Sequence, residues 1–143
     1  MCLPATDLHL GSRKDETKVR RGLAPVRVLR DGGVNVCLAT NNVCNAFTPY
    51  GTGDLLQIAA LALPACHLGV ADDQATVLAM LTTNPAKALR LPSYGVEVGK
   101  DADLVLMDTQ RVADVTIELP DRNFVVKRGR IVAQTKREVE YAF

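Results

Sequence analysis

The chain of 143 residues has room for one ordinary domain and is too short for most multidomain enzymes. A hydrophobic fraction of 48% with 23% charged residues describes a globular protein with a core and excludes a disordered tail. Seventeen basic against sixteen acidic residues leave a net charge of +1, and there is no Trp, which argues against a nucleic-acid partner. No apolar stretch approaches the ~20 residues of a membrane span, and Leu55 to Leu63 is the most apolar segment. Met1-Cys2-Leu3-Pro4 offers neither a basic leader nor an apolar signal core, so the expected location is the cytoplasm, with no membrane partner.

In chain order, Cys2 to Leu10 reads as a first strand broken by Pro4, followed by a polar loop from Gly11 to Gly22. Pro25 suits the first turn of a short helix, Ala24 to Arg30, which Gly32-Gly33 ends. Val34 to Ala39 reads as a second, covered strand, and strand–helix–strand predicts a parallel crossover. Asp54 is placed to cap an apolar helix from Leu55 to about Leu68, kinked at Pro64. Further helices are expected at Ala71 to Leu81 and Ala86 to Leu91.

After Pro92 the period changes to that of short strands: Asp103 to Met107, Val115 to Leu119, Asn123 to Lys127 and Ile131 to Gln134, with a hairpin turn at Arg128-Gly129. The expected division is residues 1–91 and a β segment, 92–143. Charge is uneven along the chain. Residues 13–30 carry seven basic side chains, whereas no Lys or Arg occurs from Asp31 to Ala86, which predicts burial of that middle stretch, either inside this fold or against a partner. The four cysteines have no C-x-x-C spacing and read as isolated buried thiols.

Ligand chemistry in α/β folds gathers at the carboxyl ends of parallel strands, and Thr40-Asn41-Asn42 sits there. Taken alone, Asn-Asn after a strand is ordinary turn chemistry, and Phe47 is ordinary core.

The ordered set of motifs resembles the C-terminal third of the amidohydrolase superfamily, in its cytosine-deaminase-like branch. It comprises Leu3-Pro4-Ala5-Thr6-Asp7-Leu8-His9-Leu10, Arg20-Arg21-Gly22-Leu23-Ala24-Pro25-Val26, Gly33-Val34-Asn35-Val36-Cys37-Leu38, Thr40-Asn41-Asn42-Val43, Phe47-Thr48-Pro49-Tyr50-Gly51 and Gly99-Lys100-Asp101-Ala102-Asp103-Leu104-Val105-Leu106. The resemblance implies an α/β fold: the last strands and helices of a (β/α)8 barrel, followed by a small antiparallel unit that is part of a β-sandwich.

It implies hydrolysis of a C–N bond of a small nitrogen heterocycle by a metal-activated water. The metal would be zinc or iron in the parent enzyme, with none expected in the isolated chain. Relatives carry His-Asp-Asp where this chain has Thr40-Asn41-Asn42. Asn41 thus stands at the position of the metal ligand and catalytic proton acceptor, Asn42 at a substrate-binding position, and Phe47 where an aromatic packs on the substrate ring. An amide is a weaker, neutral ligand and cannot shuttle a proton at neutral pH.

The other metal histidines would lie upstream, so the chain reads as a truncated or internally initiated product. It is expected to be inactive alone and to self-associate or pair with the missing N-terminal part. The alternatives are a non-catalytic binding or assembly module derived from the barrel, and an unrelated small α/β protein.

Overall fold

The computed structural model describes residues 1–142. Six helices and three strands follow one another: α1 (Pro4–Leu10), α2 (Val26–Asp31), α3 (Leu55–Ala65), α4 (Ala71–Leu81), α5 (Thr83–Ala88), β1 (Leu104–Met107), α6 (Val115–Glu118), β2 (Arg122–Lys127) and β3 (Arg130–Gln134).

The first expected strand is largely helix. Cys2 alone pairs, in an isolated parallel bridge with Leu38, and Pro4 then opens α1. Proline cannot donate to a strand ladder, whereas at the first helical position its missing N–H costs nothing. The expected strand Val34 to Ala39 shrinks to the other half of this bridge, held by Cys2 N–H to Cys37 O (2.8 Å) and Ala39 N–H to Cys2 O (3.0 Å). The pairing is parallel, as the crossover reading requires.

On its other side the segment is tied to the end of α4 and the start of α5. Leu38 N–H donates to Met80 O (3.0 Å), Asn84 Nδ2 to Val36 O (2.7 Å), and Asn35 Nδ2 to Asn84 O (3.0 Å). Asn84 is thereby drawn into the helix, and α5 starts at Thr83 instead of Ala86.

The core is built from Cys2, Ala5, Val26, Val36, Leu38, Ile58, Ala59, Ala62, Leu68, Val77 and Met80. Eight of these eleven lie in the cation-free stretch, as expected, although the loop 41–53 within it is mostly on the surface. Ala59 and Ala62 are fully buried, on a helix that packs against α1, α4 and α6. Asp54 caps α3 by accepting from Leu56 N–H (2.8 Å). Pro64 lies in the last turn of α3, which ends one residue later.

The sheet has the order β1-β2-β3, all antiparallel, and Arg128 and Gly129 both take positive φ (49° and 76°) in the two-residue hairpin turn. The strand expected at Val115 to Leu119 is instead the helical turn α6. Consecutive Val115 and Thr116 are both buried there, with α6 packing on α3 and α4; a strand would have sent one of them to the opposite face. The sheet is tied to the helices by Arg122, whose Nη2 lies 2.5 Å from Asp54 Oδ1. The isolated-thiol reading holds in that all four cysteines are free, but Cys44 is exposed and Cys66 half-buried. Burial pushes the thiols of Cys2 and Cys66 up from their ordinary range.

Asp73 is a buried carboxylate at the start of α4. Its burial disfavours charge, but Arg30 (2.5 Å) and the N–H groups of Val70 (3.3 Å) and Gly69 (3.1 Å) outweigh that and hold its carboxyl below the ordinary range. A lowered folded pKa contributes stability that is complete above the ordinary value of about 4 and is lost as pH falls through the folded one. Asp73→Asn should therefore lower unfolding stability by about 1–3 kcal/mol at neutral pH. In denaturant titrations the gap to the unmodified protein should narrow below about pH 4.

Candidate functional site

The parallel bridge brings two exits together. After Cys2 the chain turns into α1, and after Leu38 it runs into the loop 40–53, so the first turn of α1 lies beside Asn41. Thr6 Oγ1 donates to Asn41 Oδ1 (3.1 Å) and lies 2.8 Å from the hydroxyl of Thr48. Asn42 Nδ2 donates to the same Asn41 oxygen (2.7 Å), and Asn45 Nδ2 donates to Asn42 Oδ1 (2.8 Å).

Asn45 Oδ1 in turn accepts from the backbone N–H groups of Phe47 (3.0 Å) and Thr48 (3.1 Å). A tight turn with an Asn45–Thr48 bridge closes the loop tip. Tyr50 fixes the far end, its hydroxyl donating to Ala5 O (3.3 Å) and its ring meeting His9 edge-on at 5.8 Å. Beneath the loop lies a cavity of about 80 Å³, lined in part by Thr40, Asn42, Thr48, Tyr50 and Gln57.

The residues singled out from sequence are thus joined. Asn41 and Asn42 touch, and Phe47 is linked to them through Asn45. Phe47 is not core, being 58% exposed on the loop tip. Sequence reasoning gave no role to Thr6, Asn45, Thr48 or Tyr50. Thr6 and Thr48 are buried hydroxyls, 7% and 1% exposed, and nothing local in the sequence announces that they meet across 42 residues. Asn45 had a local signal, since an Asn two and three residues ahead of free backbone N–H groups forms an Asx turn.

A family model of the amidohydrolases matches residues 1–133. The chain belongs to the amidohydrolase family. Within it, the cytosine-deaminase-like branch is supported by a solved structure of 5-methylcytosine deaminase from Klebsiella pneumoniae liganded with phosphonocytosine, 29% identical with a TM-score of 0.91. That match covers 99% of this chain and 35% of the deaminase chain.

The N-isopropylammelide isopropyl amidohydrolase of Pseudomonas sp. (strain ADP) is 32% identical over 77% of this chain and 28% of its own length. The 5-methylthioadenosine/S-adenosylhomocysteine deaminase of Halalkalibacterium halodurans is 37% identical over 75% of this chain and 23% of its own length. This amidohydrolase chain therefore spans about a quarter to a third of the length of these relatives.

Amidohydrolases generally use a divalent metal. The donors of this chain do not fit one. Asn41 offers a neutral amide oxygen that already accepts from Thr6 and Asn42. Both histidines are engaged by arginines, His9, against Tyr50, by Arg13 and the distant His67 by Arg21, each at 2.5 Å. No group of three or more His, Cys, Asp or Glu comes together among the described residues.

A cavity of about 690 Å³ lies far along the chain from the asparagines, with Leu78, Tyr94, Leu104, Met107 and Val112 among its lining residues. Its lining is mostly apolar but also carries Ser93 paired with Asp101, and Asp103 paired with Lys127 and with the Arg128 N–H. No helix among the described residues is long and apolar enough to cross a membrane.

Thr6→Val keeps the shape of the side chain while removing the hydroxyl that joins α1 to the loop. It should cost about 1–2 kcal/mol in unfolding experiments. It should also raise amide hydrogen exchange across residues 41–50 far more than in α3 or α4, because only the loop loses its anchor.

Proposed function

We propose that this chain is the C-terminal portion of a metal-dependent amidohydrolase that hydrolyses a C–N bond of a small nitrogen heterocycle, in the manner of a cytosine deaminase. The observation that carries this reading is the match of the whole chain to 5-methylcytosine deaminase, with the Thr6–Asn41–Asn42 cluster at the carboxyl end of a parallel bridge. The bridge Cys2–Leu38 then represents two neighbouring strands of a (β/α)8 barrel, and the sheet β1-β2-β3 part of a β-sandwich. The partner of the chain is the rest of that barrel, or a second copy, together with a small heterocyclic substrate.

In the reaction, water adds its oxygen to the ring carbon, the C–N bond breaks, ammonia or an amine leaves with one of the water protons, and the other proton stays on the ring of the oxo product. Asn42 and Phe47 are the substrate-binding residues of this chain, the amide bonding ring heteroatoms and the aromatic ring packing on the heterocycle. The catalytic and metal position of the family falls on Asn41. Its amide neither takes up nor returns a proton, so proton transfer belongs to groups outside this chain. The zinc or iron expected of the parent enzyme would be held by residues outside this chain and would supply an activated water.

A second reading, a non-catalytic binding or assembly module derived from the barrel, is favoured by the amide at Asn41.

Turnover separates the two readings. The complete protein that carries this chain should release ammonia or amine from amino-substituted pyrimidines or triazines, while the 143-residue chain alone should not. Phe47→Ala should raise KM about tenfold with a smaller effect on kcat, measured by steady-state kinetics. Absence of turnover in the metal-loaded complete protein would sink the first reading in favour of the second.

A further inference from the structure

The chain has two histidines, and each meets an arginine through the same ring atom. Arg13 Nη2 lies 2.5 Å from His9 Nε2, and Arg21 Nη1 lies 2.5 Å from His67 Nε2. A guanidinium carries N–H donors and no acceptor, so in both contacts Nε2 must supply a lone pair. Both rings are therefore neutral in this arrangement, with the proton on Nδ1. A proton added at Nε2 would set donor against donor and bring two positive charges together.

The two contacts bracket one segment. Gly11 to Gly22 leaves the end of α1 and returns to its own starting point. A Cβ added to Gly11 would come within 3.1 Å of Gly22 Cα, and one added to Gly22 within 3.1 Å of Gly11 Cα. A surface loop with its ends closed in this way is an Ω-loop. None of its residues belongs to the hydrophobic core. Arg20 clasps it from within, donating twice to the Asp15 carboxylate (2.8 and 2.9 Å). Among the described residues, the loop side chains are hydrogen-bonded to the body by Arg13 on His9 and by Arg21 on His67.

The fastenings differ in what a proton would do to them. Arg13 Nε also donates to the His9 carbonyl (2.9 Å), a bond that the ring does not control. Arg21 has the His67 ring alone. Around His67, Arg27 donates to its carbonyl (3.3 Å), and the residues that share its hollow, Leu63, Pro64, Leu68, Gly69, Gln74 and Ile117, carry no charge. Asp73, beyond Gly69, is engaged by Arg30. Around His9 stand Arg13, the edge-on Tyr50 ring, and Asp7 on the same helix. No carboxylate forms an ion pair with either ring among the described residues.

We propose that the loop Gly11–Gly22 is a pH-sensitive flap, fastened by two neutral histidine rings and released on its Arg21 side when they take up a proton. Arg20 holds the Asp15 carboxyl below its ordinary range, so the inner clasp survives the acidification that opens the fastenings. The loop then swings as a folded unit on its glycine base. No substrate enters this switch, so it stands apart from the heterocycle reading.

The test is NMR of the protein at about pH 8 and about pH 5, the span in which an imidazole changes its charge. Ring nitrogen shifts at the upper pH should show Nδ1–H in both histidines. Backbone order parameters at residues 14–21 should fall from about 0.85 to below about 0.6 on acidification, with α3 and α4 unchanged. Glutamine places a neutral acceptor that does not titrate where Nε2 stands. His67→Gln should remove most of the fall. His9→Gln combined with His67→Gln should remove all of it, which separates the histidines from the terminal amine of Met1. Arg21→Gln should leave the loop loose at both pH values. An Nε2–H ring at the upper pH, a loop equally ordered at both, or a fall that persists in the double variant would overturn the switch.

Discussion

The arrangement of this molecule depends on one short stretch of parallel backbone pairing. Two hydrogen bonds between Cys2 and the Cys37–Ala39 segment set the starting points of α1 and of the asparagine loop side by side. Everything at the candidate site follows from that register. A one-residue slip would send Thr6 to another face of α1 relative to Asn41, and the donors of Thr6 and Asn42 would no longer meet at one oxygen. The bridge is itself buried: Cys2 and Leu38 are core residues, and Leu38 is held from its other side by the end of α4. The apolar core and the polar site thus share the same two residues of backbone.

The sequence disclosed the helical middle of the chain and the final hairpin well, because both announce themselves locally. Asp54 ahead of an apolar run gives a cap, and Arg128-Gly129 between apolar segments gives a turn. It was misleading where tertiary packing overrides local pattern. Pro4 interrupts a strand in the local pattern, although it is the natural first residue of a helix. Val115 to Leu119 has the composition of a strand, yet the need to bury two consecutive residues against α3 and α4 winds it into a helical turn.

At the site, the positions Asn41, Asn42 and Phe47 were legible through resemblance to a family, and their proximity is observed. The hydroxyls that organise them were not. Thr6 and Thr48 are unremarkable in a sequence, and their meeting depends on the bridge at Cys2 and Leu38. A long-range contact between small polar side chains leaves no periodicity to detect. That the Asn41 oxygen accepts from both Thr6 and Asn42 is likewise visible only in the folded chain.

Asp54 marks a mechanical boundary. A single oxygen, Oδ1, receives both the Leu56 N–H that begins α3 and the Arg122 guanidinium that begins β2. Immediately before it, Gly51 and Gly53 hold positive φ angles (102° and 80°) in open space. A stiff junction therefore adjoins a pair of residues with wide backbone freedom. Thr6 and Ala5 hold the asparagine loop to α1 on one side of these glycines, and Asp54 holds α3 to β2 on the other. Gly51 and Gly53 thus form the seam between the part of the chain held by α1 and the part held by the sheet.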